Sequence, residues 1–307
     1  MIINLYLENL FNMFKIYQHT ENNKEYIVLE SKNKQAYASI CLDEGARVKD
    51  LVLNGKSIIK EQSNFDYEDS YASSILFPFV SRLKEGSYSF NYDSYELHKN
   101  DKGINALHGL VYNKKFELFE PEEYQHKCSA TFNYYEQKPP KGYPFKYFLS
   151  ITYTLFKDDF QIAITVKNID SKSFPFTLGW HPYFNCNDFS KAYLHFKSSK
   201  KIVFDNNLIT KAIEDFIIDK NFSLENKQLD DCFILNKQGV DFITSEYHLK
   251  LTSDALENYL QLYTPKNKPI IAIEPMTGIS DSFNNKIGLQ VLEPNKTYAV
   301  NFRVQLI

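Results

Sequence analysis

Two residues stand where proton chemistry would need them. Glu274 lies in PIIAIEPMTGISDSFN (269–284) and His181 lies in SFPFTLGWHPYFN (173–185). Read as an extended strand, the first run turns Ile271 and Ile273 inward and leaves Ala272 and Glu274 on the opposite face. A carboxylate among Ile, Ala and Pro is costly to bury unless it is paired or used, and apolar surroundings raise its pKa and make it a stronger base. In the second run Phe176, Leu178 and Trp180 share one face, while Thr177, Gly179 and His181 share the other. Pro182 cannot continue a central ladder, so His181 is expected at a strand end facing a cavity, with Gly179 leaving room beside the imidazole. An ordinary imidazole pKa near 6.5 suits proton transfer at cellular pH.

Three further stretches place polar residues against apolar runs. FPFVSRLKEGSY (77–88) carries Arg82 at the end of an apolar segment, where a fixed donor fork can hold ligand oxygens. INALHGL (104–110) carries His108, followed by Gly109, which lets a ligand or another backbone approach closely. LDDCFIL (229–235) places Asp230 and Asp231 at the head of a strand. Taken singly, each has a plainer reading: a surface arginine, a satisfied structural histidine, a capping aspartate pair and, for Glu274, a buried structural carboxylate.

Several function classes are excluded by what the chain lacks. No histidine or cysteine spacing resembles a metal site, and neither GxSxG nor a glycine-rich phosphate loop occurs. The formal net charge is −3 with no lysine cluster, which argues against nucleic acid. Only three arginines occur, Arg47, Arg82 and Arg303. Cys41, Cys128, Cys186 and Cys232 stand apart and read as small buried side chains of a reducing compartment, with two disulfides as the alternative. The opening MIINLYLENLFNMF is too short and too polar to span a bilayer and lacks the features of a leader, so no membrane partner and a cytoplasmic address are expected.

Strands must position these residues. Leu149, Ile151, Tyr153 and Leu155 alternate with Ser150, Thr152 and Thr154; Ile162, Ile164 and Val166 repeat the pattern; Val300, Phe302, Val304 and Leu306 close the chain with it. This is the signature of half-buried antiparallel strands. The first two runs form a hairpin about Asp158–Asp159, NYDSYEL near residue 93 belongs to another, and about sixteen strands are expected in all. Only AIEDFIIDKNF (212–222) has a helical period. No linker or repeat divides the chain, so the expectation is one all-β domain over 13–307, a large antiparallel β-sandwich with few short helices. Residues 1–12 read as an extension, and Met13, which opens the strand-like MFKIYQ, is an alternative start.

ALHG, WHPYFN and IEPMTG, in this order and spacing, resemble the aldose 1-epimerase (mutarotase) family over about Phe14 to Ile307. The resemblance implies a galactose mutarotase-like supersandwich with neither metal nor cofactor. It places the catalytic base at Glu274 and the catalytic acid at His181, and it makes Arg82, His108 and Asp230 substrate-binding residues. Ser81 stands where many relatives have asparagine, and Met276 where galactose-specific members more often have glutamine; both bear on sugar identity. The implied partner is a small aldohexose, with the assembly open between monomer and homodimer. Other readings are a hexose-phosphate mutarotase drawing on Arg47 and Arg82, a glycosidase pairing Asp230 with Glu274, and a non-catalytic sugar-binding or sensing protein.

Overall fold

The period-two runs become paired strands. A computed structural model describes residues 13–218 and 220–307; the extension over 1–12 lies outside the described residues. Leu149, Ile151, Tyr153 and Leu155 are fully buried in the strand Tyr147–Leu155, and their polar neighbours are half-exposed. That strand pairs antiparallel with Asp159–Asn168, which pairs with the C-terminal strand Thr297–Leu306. The register sets Ile151 opposite Ile164 and Ile164 opposite Val300, so one apolar face runs unbroken across three strands. Burying each such aliphatic side chain contributes roughly 1.5–3 kcal/mol. Arg303 lies on the outer face, held by Asp159, which accepts from Nε at 2.9 and 3.0 Å and lies 2.8 Å from Nη2.

These strands form the centre of a nine-stranded sheet. An eight-stranded sheet contains Ser198–Phe204, Asp230–Leu235, Tyr259–Tyr263 and Ile270–Met276, and a five-stranded sheet is built from Phe14 to Ile59. Side chains from all three meet in one apolar core, exemplified by Leu29, Ile164, Phe302, Leu262 and Ile273. The architecture is the expected antiparallel β-sandwich. Among the described residues the only α-helices are Tyr67–Ser70 and Ser282–Asn285. None is long and apolar enough to cross a membrane.

Both expected hairpins form. Phe156 N–H donates to Asp159 O at 2.8 Å to close the first. In the second, Ser87–Phe90 pairs with Asp93–Glu96, and Asn91 and Tyr92 take φ of +51° and +70°, the two left-handed positions of a I′-type turn. All four cysteines are free and buried.

The helix expected over 212–222 does not form. Thr210–Ile218 is a strand paired with Ser198–Phe204, and Asn221–Ser223 pairs with Tyr193–His195. Thr210–Ile218 ends its sheet and is exposed along nearly its whole length, so neither face imposes a period of two on its sequence. Its three isoleucines and one phenylalanine favour the extended chain, and pairing decides the outcome. The strand count also differs: 28 strands occur among the described residues. Much of the surplus is strands of two or three residues, too short to show a period, and several of these carry the site.

Candidate active site

Glu274 sits in Ile270–Met276, with Ile271 and Ile273 turned into the core as expected. On one side, Gly179 pairs with Met276 and Tyr183 with Ala272, and these two pairs share one register. Carried across the gap between them, that register sets His181 opposite Glu274. His181 Nε2 and Glu274 Oε1 are 3.6 Å apart, with the two residues 4% and 2% exposed. His181 and Glu274 are a non-hydrogen-bonded pair, so the His181 backbone bonds to the other neighbour. Its N–H donates to Ser74 O at 3.0 Å, and its carbonyl accepts from Ser73 N–H at 2.7 Å. Pro182, which has no N–H, only accepts, from Ile273 N–H at 3.4 Å.

On the other side Gln261 pairs with Glu274, and Tyr263 pairs with both Ala272 and Asp230. Asp230, Gln261, Tyr263 and Glu274 therefore share one face of the sheet, and Gln261 Nε2 donates to Asp230 Oδ1 at 2.8 Å. The neighbouring Asp231 points elsewhere, to Lys201 Nζ at 2.5 Å. Of the two aspartates, only Asp230 lines the cavity.

Arg82 and His108 come from outside this sheet. The strands Arg82–Leu83 and Ala106–Leu107 pair, with Arg82 opposite Leu107, and His108 N–H donates to Ser81 O at 2.9 Å. His108 and Gly109 have φ of +62° and +78°. A Cβ at Gly109 would lie 2.2 Å from Phe77 O, so the glycine admits another backbone rather than a ligand. Gly109 thus meets the second of its two expected roles, whereas Gly179 differs from expectation. A Cβ there would meet Met276 Cγ and Val80 Cγ1, both at 3.0 Å, so its smallness serves packing and not space beside the imidazole.

All five expected residues, Arg82, His108, His181, Asp230 and Glu274, line one cavity of about 270 Å³. Tyr183 stacks on His181, with ring centroids 5.0 Å apart and planes 26° apart; His108 meets His181 edge-on at 4.9 Å; Tyr71 lies 5.0 Å from His108. Gln261, Tyr71 and Tyr263 also line it, and the sequence reading missed them. Gln261 carried a usable signal, a polar residue within the apolar run YLQLY, as Glu274 is in its own strand. Tyr71 and Tyr263 carried none among so many tyrosines.

Burial dominates the electrostatics. It raises the Glu274 carboxyl well above the ordinary carboxylate range, with Asp230 adding to the rise and Arg82 opposing it. It pushes the His181 imidazole down to about 3. His108 is held well below its ordinary value by burial, with His181 and Arg82 adding to the effect. Burial also raises Asp230, against the lowering influence of Arg82 and the Gln261 hydrogen bond. The arrangement thus offers one strong base and one strong acid, if a proton can be moved between them.

Arg47 takes no part. Its guanidinium binds Glu44 at 2.6 Å and Glu61 at 2.5 Å, lies 4.3 Å over the Tyr67 ring, and does not line the cavity.

The family model for aldose 1-epimerase matches residues 28–305. The chain belongs to the aldose 1-epimerase family. A general epimerase or mutarotase role is what that membership supports. The chain is 23% identical over 285 residues to an uncharacterized protein, YihR, of Escherichia coli (strain K12), covering 87% of this chain and 90% of that one. Among solved structures, a galactose mutarotase-like protein from Clostridium acetobutylicum superposes with a TM-score of 0.83 at 18% identity, covering 96% of this chain and 98% of that one. Galactose 1-epimerase from Lactobacillus acidophilus NCFM gives 0.80 at 16% identity, with 96% and 99% covered. These solved structures share the galactose mutarotase-like fold described above.

Proposed function

We propose that this protein interconverts the α and β anomers of a neutral hexose, with Glu274 as base and His181 as acid. The observation that carries this reading is the placement of these two side chains opposite one another, in one register, in the wall of a buried cavity.

The proton bookkeeping follows from the burial. Desolvation penalises both charged forms, raising the Glu274 carboxyl and lowering the His181 imidazole, and so favours a resting pair with a single proton held on Glu274. Its tautomer, a carboxylate facing an imidazolium, has the same net charge. Hydrogen bonds from the C1 hydroxyl to the carboxylate, and from the imidazolium to the ring oxygen, favour that tautomer when sugar is bound. Glu274 then takes the C1 hydroxyl proton, His181 gives its proton to the ring oxygen, and the C1–ring oxygen bond breaks. The result is an open-chain aldehyde beside a neutral acid and a neutral imidazole. Ring opening thus discharges the ion pair, and a water-poor cavity favours the discharged state over the charged one. Stabilisation that grows along the reaction coordinate lowers the barrier. Rotation about C1–C2 and the reverse proton transfers close the other anomer.

Arg82, His108 and Asp230 are assigned to holding sugar hydroxyls, and Tyr183 and Tyr263 to an apolar ring face. The lining supports a neutral sugar over a hexose phosphate: Asp69, Asp230 and Glu274 share it with a single guanidinium, Arg82, and no lysine lines it among the described residues. A glycosidase pair is less well supported, because burial raises both Asp230 and Glu274 whereas hydrolysis separates their protonation states.

The test is polarimetry on freshly dissolved α-D-glucose and α-D-galactose. Wild type is expected to accelerate mutarotation, and Glu274→Gln to lose about 10²–10⁴-fold in turnover while still binding sugar. Undiminished turnover in the variant removes the base assignment.

A further inference from the structure

One contact at the cavity wall has no part in the proton transfers. Arg82 Nε donates to Asp101 Oδ2 at 2.8 Å, with the two side chains 20% and 16% exposed. No other hydrogen bond of the Arg82 side chain forms among the described residues, so the terminal nitrogens of its fork are left for a ligand.

Asp101 is itself held in place. Its N–H donates to Asn105 O at 3.0 Å, its carbonyl accepts from Ile104 N–H at 2.9 Å, and Asn105 Nδ2 reaches its Oδ2 at 3.5 Å. This turn leads straight into Ala106–Leu107, the strand paired with Arg82–Leu83. Arg82 is thus fixed twice by one segment, through its backbone ladder and through its Nε.

The contact also matters for charge. Among the described residues, Arg82 is the only Lys or Arg side chain in a cavity lined by three carboxyl residues. Pairing it with a fourth carboxylate cancels the single strong attraction an anionic ligand would find there. A guanidinium so paired keeps its directional donors for hydroxyl oxygens while losing its pull on a phosphate.

We propose that Asp101 is a positioning and selectivity residue, which aims Arg82 at sugar hydroxyls and neutralises it so that the cavity takes uncharged aldoses and rejects sugar phosphates. The inference rests on the sugar reading above and narrows its substrate class.

The experiment compares full-length wild type, Asp101→Asn and Asp101→Glu. It measures kcat and KM on the aldose turned over, the affinity for inorganic phosphate by calorimetry, and the thermal midpoint of each protein. Asp101→Asn is expected to raise KM about tenfold with kcat within about twofold, and to bind phosphate about tenfold more tightly than wild type. Asp101→Glu should return both quantities toward wild type. Phosphate affinity unchanged in Asp101→Asn overturns the selectivity role, whatever happens to the sugar kinetics. A lowered thermal midpoint with kcat and KM both degraded, and no tighter phosphate binding, makes Asp101 a merely structural residue. Failure of wild type to accelerate any aldose overturns the proposed function instead, and the phosphate comparison still decides the role of Asp101.

Discussion

The buried His181 should make the protein's stability depend steeply on pH. Burial lowers its pKa from 6.5 in the unfolded chain to about 3 in the folded one. A group with a depressed folded pKa binds more protons when unfolded, so stability rises with pH through this window and is lost as pH falls from about 6.5 toward 3. Each pH step across the window is equivalent to about 1.4 kcal/mol, so wild type at pH 4 should have lost roughly 3 kcal/mol through this one group. Glu274, 3.6 Å away, is a poor counter-charge for the imidazolium, because burial raises its own carboxyl and so disfavours the carboxylate. His181→Asn has no such titration, so any pH-independent cost of the substitution leaves its acid-side slope shallower than that of wild type. Urea unfolding of both proteins at pH 7 and pH 4 isolates the difference, since every other group titrates in both. Parallel losses would show that His181 does not titrate differently on folding. A wild type that loses less than the variant would mean a standing ion pair with Glu274, with the histidine pKa raised, and would overturn the neutral resting state. Turnover of His181→Asn is expected to fall more than sugar affinity; a purely weaker affinity at normal saturated rate would make His181 a positioning residue.

Two further outcomes are expected. kcat/KM for mutarotation, corrected for the spontaneous rate, should be flat above about pH 4 and fall on the alkaline side as the pair loses its single proton through the raised Glu274 carboxyl; a rise through pH 6.5 would contradict the one-proton pair. Gly109→Ala should cost more than the roughly 1–2 kcal/mol of a left-handed alanine, because its Cβ would lie 2.2 Å from Phe77 O, and should lower activity by displacing His108; thermal unfolding with wild-type stability would refute the close approach.

Features that depend on neighbours in the chain could be read from the residues alone. Alternation over nine or ten residues specifies which side of a strand is buried, so Tyr147–Leu155, Asp159–Asn168 and Thr297–Leu306 were legible, as were the hairpins between strands. Polar residues set in apolar runs marked Glu274, His181, Arg82, His108 and Asp230, and their order in the chain carried the family resemblance. The edge strand Thr210–Ile218 was misread because a strand exposed on both faces has no period to show. Tertiary structure alone decided what depends on register between distant segments. His181 and Glu274 are 93 positions apart, and only the antiparallel pairing of Gly179 with Met276 and Tyr183 with Ala272 brings them into opposition. The same holds for Gly109, whose reason is the Phe77 backbone, and for Asp101, which the ladder between Arg82–Leu83 and Ala106–Leu107 sets against Arg82. Local patterns encode burial because burial repeats along a strand; a partner across the sheet leaves no such trace in its neighbours.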